Sequence, residues 1–296
     1  MRESRKTLVA TLLLLLVTAM WGSTFFLIKD LLVRVPTLDF LAVRFTIASV
    51  LLLAIAPKAL GRLNRESRRH AIVLGLLYGI AQILQTAGLA HTAASVSGFI
   101  TGMYVVATPI FAALLLGTRI TAMTWGAVAL ATAGLGVLTL QGFSVGYGEA
   151  LTFVAAMLYA LHIVGLGAWS RPREAMGMSI VQIIVIAAIC LIASAPGGIV
   201  LPDNLRDWLS VLYMAAFAGA FALVAQTWAQ AHLAATRCAI IMSMEPVFAA
   251  LFAVLLGGES LTVRMLVGGA MVLTAMLIVE LIPRRKVEAE VQHIAV

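Results

Sequence analysis

The chain has 296 residues, 62% of them hydrophobic and 11% charged, with a net charge of +7 and a pI near 9.9. That composition excludes a soluble globular domain and reads as an integral membrane protein. The positive charge does not mark a nucleic-acid binder, because the basic residues gather at the ends of apolar runs, where anionic headgroups and the insertion machinery are the expected partners.

Taking roughly 20 mostly apolar residues as one crossing, the chain holds ten, at 7–28, 38–57, 71–91, 94–117, 120–140, 148–169, 176–195, 208–231, 235–257 and 261–282. The first follows Arg2, Arg5 and Lys6 like a signal peptide, but its length and the lack of a small-x-small pattern before Trp21 predict a retained helix. Breakers separate the rest: Lys29 to Pro36, Lys58 to Arg69, His91-Thr-Ala-Ala, Gly117-Thr-Arg, Gln141 to Gly148, Ser170 to Glu174, Pro196 to Asp207 and Gly257-Gly-Glu-Ser. Cys190 and Cys238 fall inside apolar runs with no metal-ligand neighbourhood, so they read as packing residues; no metal or cofactor is expected.

With the N-terminus inside, fifteen basic residues face the cytoplasm: Arg2, Arg5, Lys6, Lys58, Arg62, Arg65, Arg68, Arg69, Arg119, Arg171, Arg173, Arg237, Arg284, Arg285 and Lys286. Only Lys29, Arg34, Arg206 and Arg264 face the other side, and Arg44 lies within the second span. This bias predicts cytoplasmic termini and a multi-pass protein of the cell (inner) membrane.

One stretch occurs twice. Pro109-Ile-Phe-Ala-Ala-Leu114 and Pro246-Val-Phe-Ala-Ala-Leu251 share five of six residues, each within an apolar span. Proline lacks an N–H, so the carbonyls of Val105 and Met242 lose their usual helical partners, which hydrocarbon tolerates only where the break faces other helices or a wet cavity. The repeat extends to Gln85-Thr86 and Gln226-Thr227, and to Ala90 and Ala231. The expected fold is therefore an all-α membrane protein whose ten transmembrane helices form two inverted five-helix repeats, residues 1–140 and 141–286, with a cytoplasmic tail at 287–296. Five spans per half is an odd number, so the halves insert upside down relative to each other.

Several motifs carry a resemblance. Trp21-Gly-Ser-Thr-Phe25, Arg44, Ala94-Ser95, Thr108-Pro109, Ser243-Met-Glu-Pro246, Gly257-Gly-Glu259 and Gly268-Gly269 together resemble the ten-helix EamA group of drug/metabolite transporters, and among its subgroups the bacterial aromatic amino-acid exporters. The resemblance implies export of small metabolites, amino acids including aromatic ones foremost. Two departures stand out: Arg119 where the second half has Glu259, and Gln182 near the place equivalent to Arg44.

The residues expected to line a central substrate cavity are Trp21, Thr24, Tyr78, Gln82, Gln85, Met103, Tyr104, Tyr159, His162, Gln226 and Trp228, joined by Gln230. Neutral hydrogen-bonding groups and aromatic faces suit a zwitterion with an apolar side chain. Packing and headgroup contacts are the competing roles for many of them, and for Trp125, Trp169 and Trp208 near span ends. Glu245, an acid near the midplane, is a candidate proton or ammonium site, its alternative role being to cap the proline break. Arg44, a turn or two from Asp39, can snorkel toward the outer surface or pair locally, with helix packing the favoured role; its sharper role is to read a carboxylate. One intramembrane Arg and no Lys is too little positive field for a phosphorylated substrate. Gly79, Gly102, Pro109 and Pro246 are candidate hinges, Gly75/Gly79, Gly98/Gly102 and Ala215/Gly219 being spaced for close helix contact.

Catalytic and ATP-binding motifs are absent and the loops are short, so the expectation is a carrier and not an enzyme, driven by a solute gradient or coupled protons. The alternatives are a multidrug efflux carrier for hydrophobic cations coupled through Glu245, and a membrane-embedded enzyme or lipid scramblase. A small-molecule substrate and the lipid bilayer are the expected partners, with the chain a monomer or homodimer.

Overall fold

A computed structural model describes residues 2–92, 94–139, 146–256 and 261–281. The Gly257-Gly-Glu-Ser260 stretch, the basic residues Arg284 to Lys286 and the side chains of Ala94 and Ser95 lie outside what is described. Among the described residues every regular element is helical.

The first half comprises α1 (Arg2–Leu31), α2 (Thr37–Ile55), α3 (Arg65–His91), α4 (Ala94–Gly102), α5 (Tyr104–Leu116) and α6 (Ala122–Thr139). The second comprises α7 (Tyr147–Trp169), α8 (Ala175–Ser194), α9 (Leu205–Ala215), a π-helical turn (Ala216–Phe221), α10 (Ala222–Gln230), α11 (Ala235–Met242), α12 (Glu245–Leu255) and α13 (Val263–Leu281). Pairs α4–α5, α9–α10 and α11–α12 each make one crossing in two pieces, giving ten in all. Seven are long and apolar enough to span a bilayer by themselves, and three apolar helices are shorter, Ile100–Leu116, Ala122–Val137 and Val263–Ile278.

Packing repeats under exchange of the halves. α3 lies on α7 as α9–α10 lies on α1; α4 and α5 lie on α7 as α11 and α12 lie on α1; α2 pairs with α8 and α6 with α13. The paired members are antiparallel. Asp39, beginning α2, accepts the Val200 N–H just beyond α8 at 3.0 Å, while Gly177, beginning α8, presses on the Ala59 carbonyl just beyond α2. At the other pair, Arg264 at the start of α13 donates to the Val137 carbonyl near the end of α6 at 3.2 Å. The two-fold that relates five-helix halves in this way lies in the membrane plane.

Close approach at two crossings demands glycine. A Cβ on Gly22 would sit 2.8 Å from the Ala249 nitrogen, the Glu245 carbonyl and the Phe248 Cβ, so only glycine lets α1 lie on the backbone of α12. On Gly88 it would sit 2.7 Å from the Gly148 carbonyl, which fixes α3 against α7.

Two boundaries differ instructively from the sequence expectation. The third crossing begins at Arg65, not near 71, and the eighth at Leu205, not near 208, because an asparagine caps each: Asn64 Oδ1 accepts the Ser67 N–H at 2.7 Å and Asn204 Oδ1 accepts the Asp207 N–H at 2.9 Å. The caps also expose an insertion. From Asn64 to Gln85 is one residue fewer than from Asn204 to Gln226, and the π-turn at Ala216–Phe221 is where the second half absorbs the extra residue.

The interruptions in the fourth and ninth crossings do not fall on the repeated prolines. The fourth crossing breaks at Met103, with Pro109 inside the continuous helix α5. In the second, the break at Ser243–Met244 directly precedes α12, so Pro246 occupies the opening turn of a helix, where no N–H is needed. Gly102 ends α4 at the break, where a Cβ would meet Leu135 of α6 at 2.8 Å; Gly79 faces Ile186 and Ile189 of α8 at an easier 3.3 Å.

Candidate functional site

The helices surround a cavity at mid-depth, lined by Trp21, Thr24, Phe25 and Ile28 from α1, Arg44 from α2, Tyr78, Gln82, Gln85, Thr86 and Leu89 from α3, and Thr101 and Tyr104 at the first break. Tyr159, His162 and Ile163 from α7, Gln226, Met242 and Glu245 complete it. Arg44, Tyr78, Tyr159 and Glu245 each sit near the middle of a crossing, whereas Ile28 and Leu89 are close to helix ends. The cavity therefore leans toward the end of the bundle where α1 and α3 finish, away from the basic end that carries Arg65, Arg68 and Arg171. Its free volume is about 50 Å³, room for a few waters at roughly 10–15 Å³ each, so an amino acid enters only if the lining opens.

Eleven of the residues singled out from sequence share this cavity: Trp21, Thr24, Arg44, Tyr78, Gln82, Gln85, Tyr104, Tyr159, His162, Gln226 and Glu245. Met103 and Trp228 do not. Met103 forms the turn between α4 and α5, and Trp228, two residues and so about 200° past Gln226 on its helix, packs at a tilt against His232 with ring centroids 4.3 Å apart. Gln230 is one layer behind the wall.

One wall is a hydrogen-bonded relay. Gln82 Nε2 donates to the Tyr159 hydroxyl at 2.6 Å, that hydroxyl donates to Gln85 Oε1 at 2.8 Å, and Gln85 Nε2 donates to Thr101 Oγ1 at 3.0 Å. The relay ties α3 to α7 and α4. Beside it Tyr78 packs edge-on to Tyr159 and against His162. His162 Nε2 pairs with Gln182 Oε1 at 2.8 Å, which satisfies both buried side chains and gives His162 a packing role.

Arg44 does not pair with Asp39, whose carboxylate is engaged by Val200. Instead its guanidinium, 3% exposed, points into the interior. Nε donates to the Met214 carbonyl and Nη2 to the Ala218 carbonyl, both at 3.3 Å, and the cation lies 5.1 Å from the Phe45 ring centroid and 5.9 Å from that of Phe40. Ala218 lies within the π-turn, and its carbonyl also accepts the Trp21 Nε1–H at 2.9 Å. The one-residue insertion thus aims backbone oxygen at a buried cation, a feature that sequence reading missed and that the unequal Asn-to-Gln spacing encodes.

Glu245, 6% exposed, makes no hydrogen bond or ion pair among the described residues. Its helix packs chiefly on α1, α4, α6 and α13, whereas α2 packs chiefly on α8, α9 and α3. Arg44 and Glu245 consequently reach the cavity from different sides. Two other lining residues carry buried polar atoms without a partner among the described residues, the Tyr104 hydroxyl and Gln226 Oε1. No cluster of three or more potential metal ligands occurs among the described residues.

A family model described as the EamA-like transporter family matches the chain twice, over residues 8–140 and 146–281. The chain belongs to this family. An uncharacterized transporter of Archaeoglobus fulgidus is 31% identical over 284 residues, covering 94% of this EamA-like chain and 88% of that one. The uncharacterized inner membrane transporter YedA of Escherichia coli K12 is 27% identical over 253 residues, covering 82% and 81%. A solved crystal structure 18% identical in sequence superposes with a TM-score of 0.77 over 92% of this chain and 96% of that chain, so the two share a fold.

Proposed function

We propose that this transporter exports small zwitterionic metabolites, amino acids including aromatic ones above all, by alternating access and without ATP. The observation that carries it is the pair Arg44 and Glu245: a basic and an acidic side chain, both buried, on different sides of one cavity, with no ion pair between them among the described residues. A buried charge without a counter-ion is costly. A substrate with a carboxylate for Arg44 and an ammonium for Glu245 offsets both costs at once, while the rings of Tyr78, Tyr104 and Tyr159 receive an apolar side chain. Arg44 disfavours the competing substrate class, hydrophobic cations, which Glu245 and the aromatic lining alone would suit.

The halves supply matching latches. Asp207, three residues after the Asn204 cap, receives two hydrogen bonds from Arg34, Nε to Oδ2 at 2.7 Å and Nη2 to Oδ1 at 2.8 Å. Ser67, three residues after the Asn64 cap, donates to Glu174 Oε2 at 2.8 Å. Arg34 and Glu174 both sit just before the second helix of their half, so the two contacts are repeat equivalents at opposite ends of the bundle. Asp207 and Asp30 hold the Arg34 guanidinium above its already high ordinary pKa, which keeps that latch charged throughout the neutral range. Opening one latch at a time would expose the cavity to one side at a time. The distribution of basic residues assigns the Ser67–Glu174 end and both termini to the cytoplasm and the Arg34–Asp207 end to the outside.

Counterflow in proteoliposomes tests the proposal. Internal unlabelled phenylalanine should drive saturable uptake of labelled phenylalanine, with ethidium neither competing nor moving; ethidium counterflow without amino-acid counterflow would replace it with the multidrug alternative.

A further inference from the structure

The amide of Gln226 is locked in one orientation. Gln230 Nε2 donates to the Ile163 carbonyl of α7 at 2.9 Å, and that backbone oxygen can only accept, so Gln230 presents its Oε1 elsewhere. Gln226 Nε2 donates to this oxygen at 3.0 Å and lies 3.8 Å from the Met242 sulfur. Flipping Gln226 would set oxygen against oxygen, and flipping both amides would set Gln230 Oε1 against the Ile163 carbonyl. Anchored in this way, Gln226 commits its only acceptor, Oε1, which is buried, belongs to a cavity-lining residue and has no donor among the described residues. Met242, in contact with the other end of the amide, and Glu245, three residues later, both line the same cavity.

We propose that Gln226 is a specificity-determining residue: its Oε1 accepts a hydrogen bond from an N–H of the substrate ammonium group, so the cavity takes amines that carry N–H and rejects their fully N-methylated analogues. This rests on the zwitterion function proposed above. Glu245 is satisfied by positive charge of either kind, since a trimethylammonium keeps the charge. Gln226 is not, because an acceptor held at a buried position finds no donor on that group, and a polar site left unpaired discriminates far more strongly than a change in apolar contact.

The test is phenylalanine counterflow by the full chain in proteoliposomes, competed by unlabelled phenylalanine or by N,N,N-trimethylphenylalanine. The expected result is competition at least about tenfold weaker for the trimethyl compound, and a gap within about twofold in Gln226→Met, which keeps the length of the side chain and removes the acceptor. Equal competition on the unmodified protein overturns the proposal whether or not the variant inserts, and a gap that survives in Gln226→Met assigns the discrimination to bulk and overturns it too. Absence of saturable phenylalanine counterflow in the unmodified protein removes the zwitterion function and this inference with it.

Discussion

Replacing Arg44 by methionine separates two roles that a static structure superimposes. Its guanidinium bonds the Met214 and Ala218 carbonyls at 3.3 Å each, long for a charged donor, and Nη1 makes no hydrogen bond among the described residues. A cation so weakly engaged and so deeply buried gives little to folding, because removing it also removes its desolvation cost. Ala218 keeps the Trp21 donor in the variant, leaving only the Met214 carbonyl deprived. Thermal stability should therefore stay within a few degrees of the parent. Transport should not. A charge-assisted hydrogen bond to a substrate carboxylate contributes about 1.5–3 kcal/mol, so the KM for phenylalanine should rise roughly ten- to 150-fold at ~1.4 kcal/mol per decade. Phenylethylamine, the same molecule without its carboxylate, supplies the control: its interaction with the site should change little or improve. Equal losses for the two compounds, accompanied by a fall in stability, would refute the carboxylate-reading role and return Arg44 to helix packing.

Other outcomes follow from the same geometry. Glu245→Gln should keep the fold and weaken phenylalanine transport at least tenfold; an unchanged rate and an unchanged pH profile would remove Glu245 from the mechanism. Asp207→Asn should loosen the Arg34 end and raise the labelling of a cysteine placed at Ile28, whereas Glu174→Gln should raise accessibility from the opposite end; identical labelling patterns in the two variants would count against equivalent latches. Gly22→Val drives a side chain into the α12 backbone and should abolish stable insertion, while Gly98→Ala, where a Cβ meets nothing within 4 Å, should be silent; tolerance of Gly22→Val would show that α1 and α12 do not pack through this contact.

The ten crossings and their two-fold organisation were legible because hydrophobic length and an internal repeat survive any detail of packing. Nine of the twelve candidate lining residues were legible for a related reason: a polar or aromatic side chain in mid-span has few places to go except inward. Met103 and Trp228 were misplaced because facing depends on phase around the helix, which a turn at Met103 resets and which turns Trp228 to the far side of Gln226. Sequence distance offers Asp39 as a local partner for Arg44 beside the favoured helix-packing role; the actual partners lie 170 and 174 residues away. The breaks were assigned to the prolines, yet α5 carries Pro109 without interruption and α12 uses Pro246 as a helix start. Proline restricts where donors are needed, but neighbouring helices decide where the chain turns.

The most consequential feature is the departure from two-fold symmetry. In repeat register Arg44 falls opposite Gln182, and Glu245 before Pro246 falls opposite Thr108 before Pro109. Each half thus contributes one charge whose counterpart in the other half is neutral, the cation from the first and the anion from the second. A symmetric lining would bind a dipolar molecule equally well in either of two orientations. The π-turn adds to the bias, since its extra residue exists only in the second half and presents the Ala218 carbonyl to Arg44. Gln182 has no equivalent cradle and is occupied instead by His162. Under the proposed function a zwitterion would thereby be held carboxylate toward α2 and ammonium toward α12, its side chain keeping one direction as the halves exchange conformations. Installing arginine at Gln182 while converting Arg44 to glutamine should preserve net charge but misalign the two poles, because the Met214 and Ala218 carbonyls remain beside α2. Full phenylalanine counterflow by this double variant would mean that charge alone suffices; its loss, with the fold intact, would mean that the second half's inserted residue sets the orientation.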